Sequence, residues 1–279
     1  MASLRTLARQ FTPAPVRRLI RATILRDQQP RFRPHTIVKT IGGESFPFYI
    51  GDPTAEAWYV PDKDPVNAEL VFLRDHMIAP GDLVFDVGSH HGLHAVFLAR
   101  RPVHVVAIEP NPLNIKCLRQ NVELNNLQNV VIRQTAVGNT RGSVSLPLDS
   151  GDGGILLDRS KSLPTVDVEL LPLDELVSQY GMPSLLKIDV EGFEARVLEG
   201  ATAILRRRPK IAIEVHTEWV SRYGSSIDEV VKLLNLDAYR VWVFPYNPAI
   251  DEVRPWEGED MNAYPPPKFT LFLLPKGQV

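Results

Sequence analysis

Four short stretches of this chain place ionisable groups where a buried strand would end. The first is Asp86-Val87-Gly88-Ser89-His90-His91-Gly92, an acid followed by two glycines that let the backbone turn sharply into a helix and pass close to a ligand. It lacks the G-x-G-x-x-G spacing that brings a helix N-terminus onto a pyrophosphate, so it suits a ligand without phosphate. The second is Glu109, about twenty residues further on, where a carboxylate can accept both hydroxyls of a ribose. Asp86, Gly88, Gly92 and Glu109 together describe a pocket for a cationic, unphosphorylated nucleoside. S-adenosylmethionine fits that description.

The third stretch is Lys187-Ile188-Asp189-Val190-Glu191-Gly192-Phe193-Glu194. Lys187 and Asp189 share one strand face, and burying an unpaired charge costs several kcal/mol, so each needs a partner. Glu191 and Glu194 have a plainer reading as acids in the first turn of a helix, favoured by its dipole. That reading does not account for Lys187 or Asp189. The fourth is Glu214-Val215-His216, with both polar side chains on one strand face. A lone histidine is more often structural, yet an imidazole with an ordinary pKa of about 6.5 is also suited to taking a proton from a hydroxyl.

The elements that must position these residues are legible from apolar runs. Residues 83–87, 103–108, 130–137, 185–190 and 211–215 read as strands, with helical spacing over 113–124, 194–208 and 227–236 between them. Residues 239–244 and 269–274 lack an intervening helix and predict an antiparallel pair at one edge. Two alternating stretches, 144–148 and 166–170, lie among glycines that include Gly151, Gly153 and Gly154; they predict a hairpin or an edge excursion. The expected fold class is α/β, a doubly wound, mostly parallel seven-stranded sheet of Rossmann-like type with right-handed crossovers. Upstream, Gly42-Gly43 turns a hairpin over residues 35–50, residues 52–65 read as a Pro- and Asp-rich loop whose Trp58 and Tyr59 form either a lid over the substrate or plain surface packing, and residues 67–77 read as a helix. Residues 1–80 are expected to be an N-terminal extension and residues 81–279 the catalytic domain.

Charge and composition remove several function classes. A net charge of -2 gives the whole chain no electrostatic claim on nucleic acid. The single cysteine, Cys117, excludes an internal disulfide framework and a CxxC zinc site. The sequence has neither a membrane-length apolar run nor the apolar core of a secretory signal, and a cytoplasmic location is expected. The N-terminus is one-sidedly basic: Arg5, Arg9, Arg17, Arg18, Arg21, Arg26, Arg31 and Arg33 face only Asp27. Residues 16–25 form an amphipathic pattern with three readings: a helix packed on the domain, a homodimer or anionic-membrane surface, and an organellar transit peptide.

The segments VFDVGSHHG, AIEPNP, LRQNVELNN, LPLDEL, LLKIDVEGFEARVLEGA and IAIEVH together resemble the FkbM-type methyltransferases, over roughly residues 66 to 218. The KIDVEG block is the specific part. The resemblance implies a class I S-adenosylmethionine-dependent enzyme that methylates hydroxyl groups of polyketides, sugars or lipid-linked glycans. It implies a cofactor site at Asp86, Gly88, Gly92 and Glu109, with Asn111 near the adenosine and Gln134 and Ala136 near the adenine edge. His90 is grouped with them, although family members usually carry Ala-Asn where this chain has Ser89-His90. Lys187, Asp189, Glu191, Glu214 and His216 fall on the family's active-site edge.

Methyl transfer needs alignment and removal of the acceptor's proton. Asp189 or His216 is the expected base, with Lys187 orienting Asp189. Ligation of a divalent ion by Asp189, Glu214 and His216 is a disfavoured variant, because mixed carboxylate and imidazole ligands suit magnesium or manganese only in part. No resident metal is therefore expected. The rivals are a dinucleotide oxidoreductase, a silent cofactor-binding or scaffold module, and a methyltransferase for another acceptor atom. Nucleic-acid methylation is weakened further, since Pro265-Pro266-Pro267 does not supply an Asn/Asp-Pro-Pro-aromatic motif at the fourth strand.

Overall fold

In the computed structural model, the structure describes residues 32–60, 66–147, 164–246 and 252–277. The basic segment at 16–25 and Gly151, Gly153 and Gly154 lie outside the described residues. Pro34–Val279 forms one compact unit. Among the described residues, no helix is long and apolar enough to cross a membrane.

The strands are β1 (His35–Ile41), β2 (Glu44–Ile50), β3 (Leu83–Val87), β4 (His104–Ile108), β5 (Val130–Arg133), β6 (Ala136–Gly138), β7 (Gly142–Pro147), β8 (Thr165–Pro172), β9 (Leu185–Ile188), β10 (Lys210–His216), β11 (Tyr239–Phe244), β12 (Arg254–Pro255) and β13 (Lys268–Pro275). The main sheet runs β12-β11-β13-β10-β9-β3-β4-β5. From β10 to β5 the ladder is parallel, and β13 enters antiparallel between β10 and β11. The expected antiparallel pair is present, and the two-residue β12 makes the sheet eight-stranded rather than seven-stranded. Chain order reverses between β3 and β9, so a crevice opens beyond their carboxyl ends. One face of these parallel strands is apolar and buried in the core, through Phe85, Val87, Leu186, Ile188, Ile211 and Ile213.

Two expected elements divide where backbones approach closely. The strand expected over 130–137 splits into β5 and β6, which belong to different sheets. At the break the Thr135 hydroxyl donates to the Glu169 carbonyl at 3.1 Å, drawing the chain into a three-stranded side sheet, β6-β8-β7. The helix expected over 194–208 divides into α6 (Glu194–Glu199) and α7 (Thr202–Arg206). A Cβ on the intervening Gly200 would lie 1.8 Å from the Gly138 carbonyl oxygen, and Asp174 caps α7 through the Ala203 and Ile204 amides.

Upstream of the sheet, residues 53–59 form a helix, α1 (Pro53–Tyr59), where a loop was expected. Asp52 accepts from the Ala55 amide at 2.8 Å and proline occupies the first turn, so Asp-Pro here is a helix start. Next, α2 (Val66–Phe72) continues into a π-helical turn, Leu73–Met77. The main sheet is then flanked by α3 (Leu93–Ala99), α4 (Pro112–Leu124), α5 (Val177–Tyr180) and α8 (Ile227–Leu234). Asn121 of α4 accepts from the Tyr49 amide at 2.6 Å and donates to the His91 carbonyl at 2.9 Å, fixing the hairpin beside the glycine turn.

The Asp52 carboxylate also lies 2.9 Å from His91 Nε2. Asp52→Ala removes a cap and the carboxylate beside a buried imidazole, so urea unfolding should show a loss of about 1–3 kcal/mol. Asp52→Asn keeps the capping oxygen and should lose less.

Candidate active site

The β3–α3 turn is held tightly. Gly88 and Gly92 adopt φ of 79° and 86°, and His90 lies at 50°. At both glycines the direction a side chain would take is filled by the protein itself. A Cβ on Gly88 would meet the Asp189 carbonyl oxygen at 1.7 Å, and one on Gly92 would meet Leu118 Cδ1 at 2.2 Å. Gly88 therefore lets β3 cross the end of β9 at close quarters.

Glu109, at the end of β4, is buried and organises the turn. Its Oε2 accepts from the His90 amide at 2.9 Å, and its Oε1 accepts from the Asn111 amide at 2.9 Å and Asn114 Nδ2 at 3.1 Å. Burial pushes its pKa up, opposed by those donors. Asn111 caps α4 through the Leu113 amide at 2.9 Å, leaving its Nδ2 buried without a partner. Both carboxylate oxygens of Asp86 lack a hydrogen-bond donor, although Lys187 Nζ lies 3.3 Å from Oδ1. Unfilled groups at Asp86 and Asn111, with acids at both strand ends, are a donor set that fits a cationic nucleoside. Of the remaining two expected residues, Gln134 is exposed just after Arg133, whose carbonyl accepts from the Glu109 amide at 3.1 Å, and Ala136 is buried in the side sheet with Leu146, Val168 and Leu170.

Over the turn sits α1, which carries Trp58 and Tyr59, the pair expected either as a lid or as surface packing. Tyr59 Oη lies 2.8 Å from His90 Nδ1, Trp58 packs at 5.1 Å from the His90 ring, and the His90 and His91 rings stack at 4.3 Å. Burial, with His91 beside it, lowers the His90 pKa to about 3, so the ring is neutral. Its Nε2 is buried without a partner.

The row expected on the reaction edge is assembled. Lys187 Nζ stands 3.3 Å from Asp86 Oδ1 and 3.3 Å from Asp189 Oδ2. Burial opposes its charge, but Asp189, Asp86 and Glu214 outweigh burial and hold its pKa above the ordinary lysine value. His216 is enclosed by acids: Glu191 Oε2 at 3.1 Å and Glu214 Oε1 at 3.0 Å from Nε2, and Glu194 Oε1 at 2.7 Å from Nδ1. Burial works against its charge, yet Glu191, Glu194 and Glu214 raise its pKa well above 6.5. Enclosure by three acids favours a ring that already holds its proton near neutral pH, which weighs against His216 as the general base. Burial raises Glu191 to about 7, against the pull of His216.

Glu194, read from sequence as a helix-dipole residue, also accepts from the Gly192 amide at 2.9 Å and so orients His216. Glu214 lies well below the usual carboxylate range: burial raises it, but Lys268 at 2.6 Å and His216 outweigh that. Glu69, His94, Tyr246, Lys268 and Thr270 were not foreseen as part of this region.

Among the described residues, two sets could bring oxygen and nitrogen atoms to a common ion: Asp189, Glu214 and His216, and Asp52, His90 and His91. In the first, Lys187 and Lys268 already place ammonium groups against two of the carboxylates, which disfavours a dication.

Residues 86–241, more than half of the chain, match the family described as the methyltransferase FkbM domain. A hexuronic acid methyltransferase, AglP, of Haloferax volcanii is 29% identical over 160 residues, covering 55% of this chain and 62% of that protein. A ribosomal protein L11 methyltransferase of Thermoanaerobacter sp. is 32% identical over 97 residues, 34% of this chain and 31% of that one. The chain thus spans less than two thirds of the length of these relatives. The structure of a precorrin-6y C5,15-methyltransferase from Geobacter metallireducens aligns at a TM-score of 0.47 with 13% identity, over 81% of this chain and 96% of that chain.

The His216 shift sets a pH dependence. A folded pKa above the unfolded 6.5 gives stability that is complete below pH 6.5 and is lost as pH rises toward the folded value. The difference in unfolding free energy between wild type and His216→Gln should therefore be flat in acid and shrink above pH 6.5. A difference that instead grows with pH would overturn the imidazolium assignment.

Proposed function

The chain belongs to the FkbM methyltransferase family, and from that premise we propose that it transfers a methyl group from S-adenosylmethionine to a hydroxyl oxygen of a small molecule, a sugar or glycan, or a polyketide or lipid acceptor. The observation that carries this reading is Asp189. It follows the end of β9, its side chain keeps 25% of its surface open, and Lys187 ties it to the buried Asp86. An acceptor oxygen can therefore reach a carboxylate one lysine away from the cofactor edge.

When bound, S-adenosylmethionine supplies a methyl group on a sulfonium, and its thioether leaves without needing a proton. The chain's own residues do the rest. Asp86 and Glu109 bring negative charge to the ends of β3 and β4, and Asn111 Nδ2 and His90 Nε2 are free to meet polar atoms of the nucleoside. Lys187 fixes the Asp189 carboxylate, which accepts the hydroxyl proton as the oxygen loses electron density. His216, 3.9 Å from Asp189 Oδ1, stands behind it as a fixed cation held by three glutamates. Such preorganised charge needs no rearrangement during the reaction.

The hexuronic acid named for the Haloferax relative makes sugars the first acceptors to test. Calorimetry with S-adenosylhomocysteine separates the enzyme from a silent scaffold, and mass spectrometry of a methyl ether separates oxygen from other acceptor atoms. Asp189→Asn should lower kcat by about 100-fold or more while leaving the affinity for S-adenosylhomocysteine within about two-fold. Turnover should survive exhaustive chelation. Near-normal kcat in Asp189→Asn would remove the base assignment.

A further inference from the structure

Four side chains from outside the matched stretch converge on Glu214. Tyr246 Oη donates to Glu214 Oε2 at 2.9 Å, and Lys268 Nζ donates to Oε1 at 2.6 Å. Thr270 sits directly across the β10–β13 ladder from Glu214. Glu69 reaches in from α2 and is only 3% exposed. Glu69, Glu214 and Thr270 line a small pocket together with His94, Lys187 and Asp189, and Leu73, Ile188, Ala212 and Phe272 supply its apolar walls.

Two atoms lining that pocket lack a well-formed hydrogen bond: Glu69 Oε1 and the Thr270 hydroxyl, the latter in a residue 4% exposed. A buried polar group without a partner costs about 1–3 kcal/mol, so its position calls for an explanation. Burial, with Glu214 nearby, raises the Glu69 pKa to about 8 against the pull of Lys268 and of the Thr270 and Tyr246 hydroxyls beside it, and at neutral pH its carboxyl both donates and accepts. His94 is kept neutral by burial and by Lys187. The pocket has room for one water-sized group.

The lining selects among chemical classes. An anion would face Glu214 and Asp189. A methyl or methylene group would strand Glu69 and Thr270. A hydroxyl, which donates once and accepts twice, satisfies both.

We propose that this pocket receives a second hydroxyl of the acceptor, adjacent to the one presented to Asp189, so that Glu69 and Thr270 select a vicinal diol of the kind a sugar ring carries. This rests on the methyl-transfer reading above. It adds a substrate feature that Asp189 alone does not impose, and it assigns that feature to α2 and β13.

The test uses the full chain with S-adenosylhomocysteine and, as probes, the 1,2-cyclohexanediols against cyclohexanol, read by saturation-transfer NMR. The wild type should transfer saturation to a diol in preference to cyclohexanol. Glu69→Leu and Thr270→Val should each reduce the diol signal by about five-fold or more, whereas Glu69→Gln, which keeps a donor and an acceptor, should retain most of it. Thr270→Val conserves shape, so it reports even if Glu69→Leu does not fold; calorimetry with S-adenosylhomocysteine checks every variant. Failure of the wild type to bind S-adenosylhomocysteine overturns the cofactor reading and the diol pocket with it. Cofactor binding with equal transfer to both probes, no transfer to either, or transfer unchanged in the variants overturns the diol pocket alone and leaves the space to an ordered water.

Discussion

Everything at the crevice depends on one buried ammonium group. Lys187 pairs across the β3–β9 ladder with Asp86, and its Nζ stands 3.3 Å from both Asp86 and Asp189. A buried charge is tolerable only when paired, so the two carboxylates and the lysine constrain one another. Their arrangement fixes the register of the two strands between which chain order reverses. It also holds the cofactor edge and the reaction edge at a set separation. Gly88 serves the same junction, because any side chain there would collide with the Asp189 carbonyl.

The same logic is repeated outward. Glu214 is compensated by Lys268, and His216 is enclosed by Glu191, Glu194 and Glu214. On the other flank the glycine turn is gripped by Glu109 from β4, Asn121 from α4 and Tyr59 from α1. Glu44 of the hairpin pairs with Arg74 and Arg101, so elements before β3 are anchored to those around it. The site is built from tethered polar groups on rigid strand ends, and little side-chain freedom remains to be lost when a ligand arrives.

The parts legible in the sequence were those written as patterns. Apolar strands alternating with helical spacing are the signature of a covered parallel sheet, and charges inside one of them, at Lys187 and Asp189, can only mean pairing or chemistry. The parts that escaped were single polar residues whose meaning depends on distant partners. Glu69 on α2 and Thr270 on β13 look like surface positions until the fold brings them to Glu214. Asp52 was hidden in a Pro- and Asp-rich stretch, although Asp-Pro is a helix-start signal. The breaks at Thr135 and Gly200 are set by backbones from elsewhere in the chain, which no local window contains.

The distribution of charge bears on turnover as well as on binding. Five carboxyl groups, Asp86, Asp189, Glu191, Glu194 and Glu214, are arranged around three basic ones, Lys187, His216 and Lys268. The acids exceed the bases, and low-dielectric walls strengthen the resulting negative potential. Under the proposed reaction, this negative potential would favour a sulfonium cation over the neutral thioether that it becomes. An acceptor that gives its proton to Asp189 removes one negative charge from the same row at the moment the sulfonium loses its positive one. Charge at the centre therefore stays balanced through the step, and Lys187, in contact with both acids, is the group through which each edge senses the other.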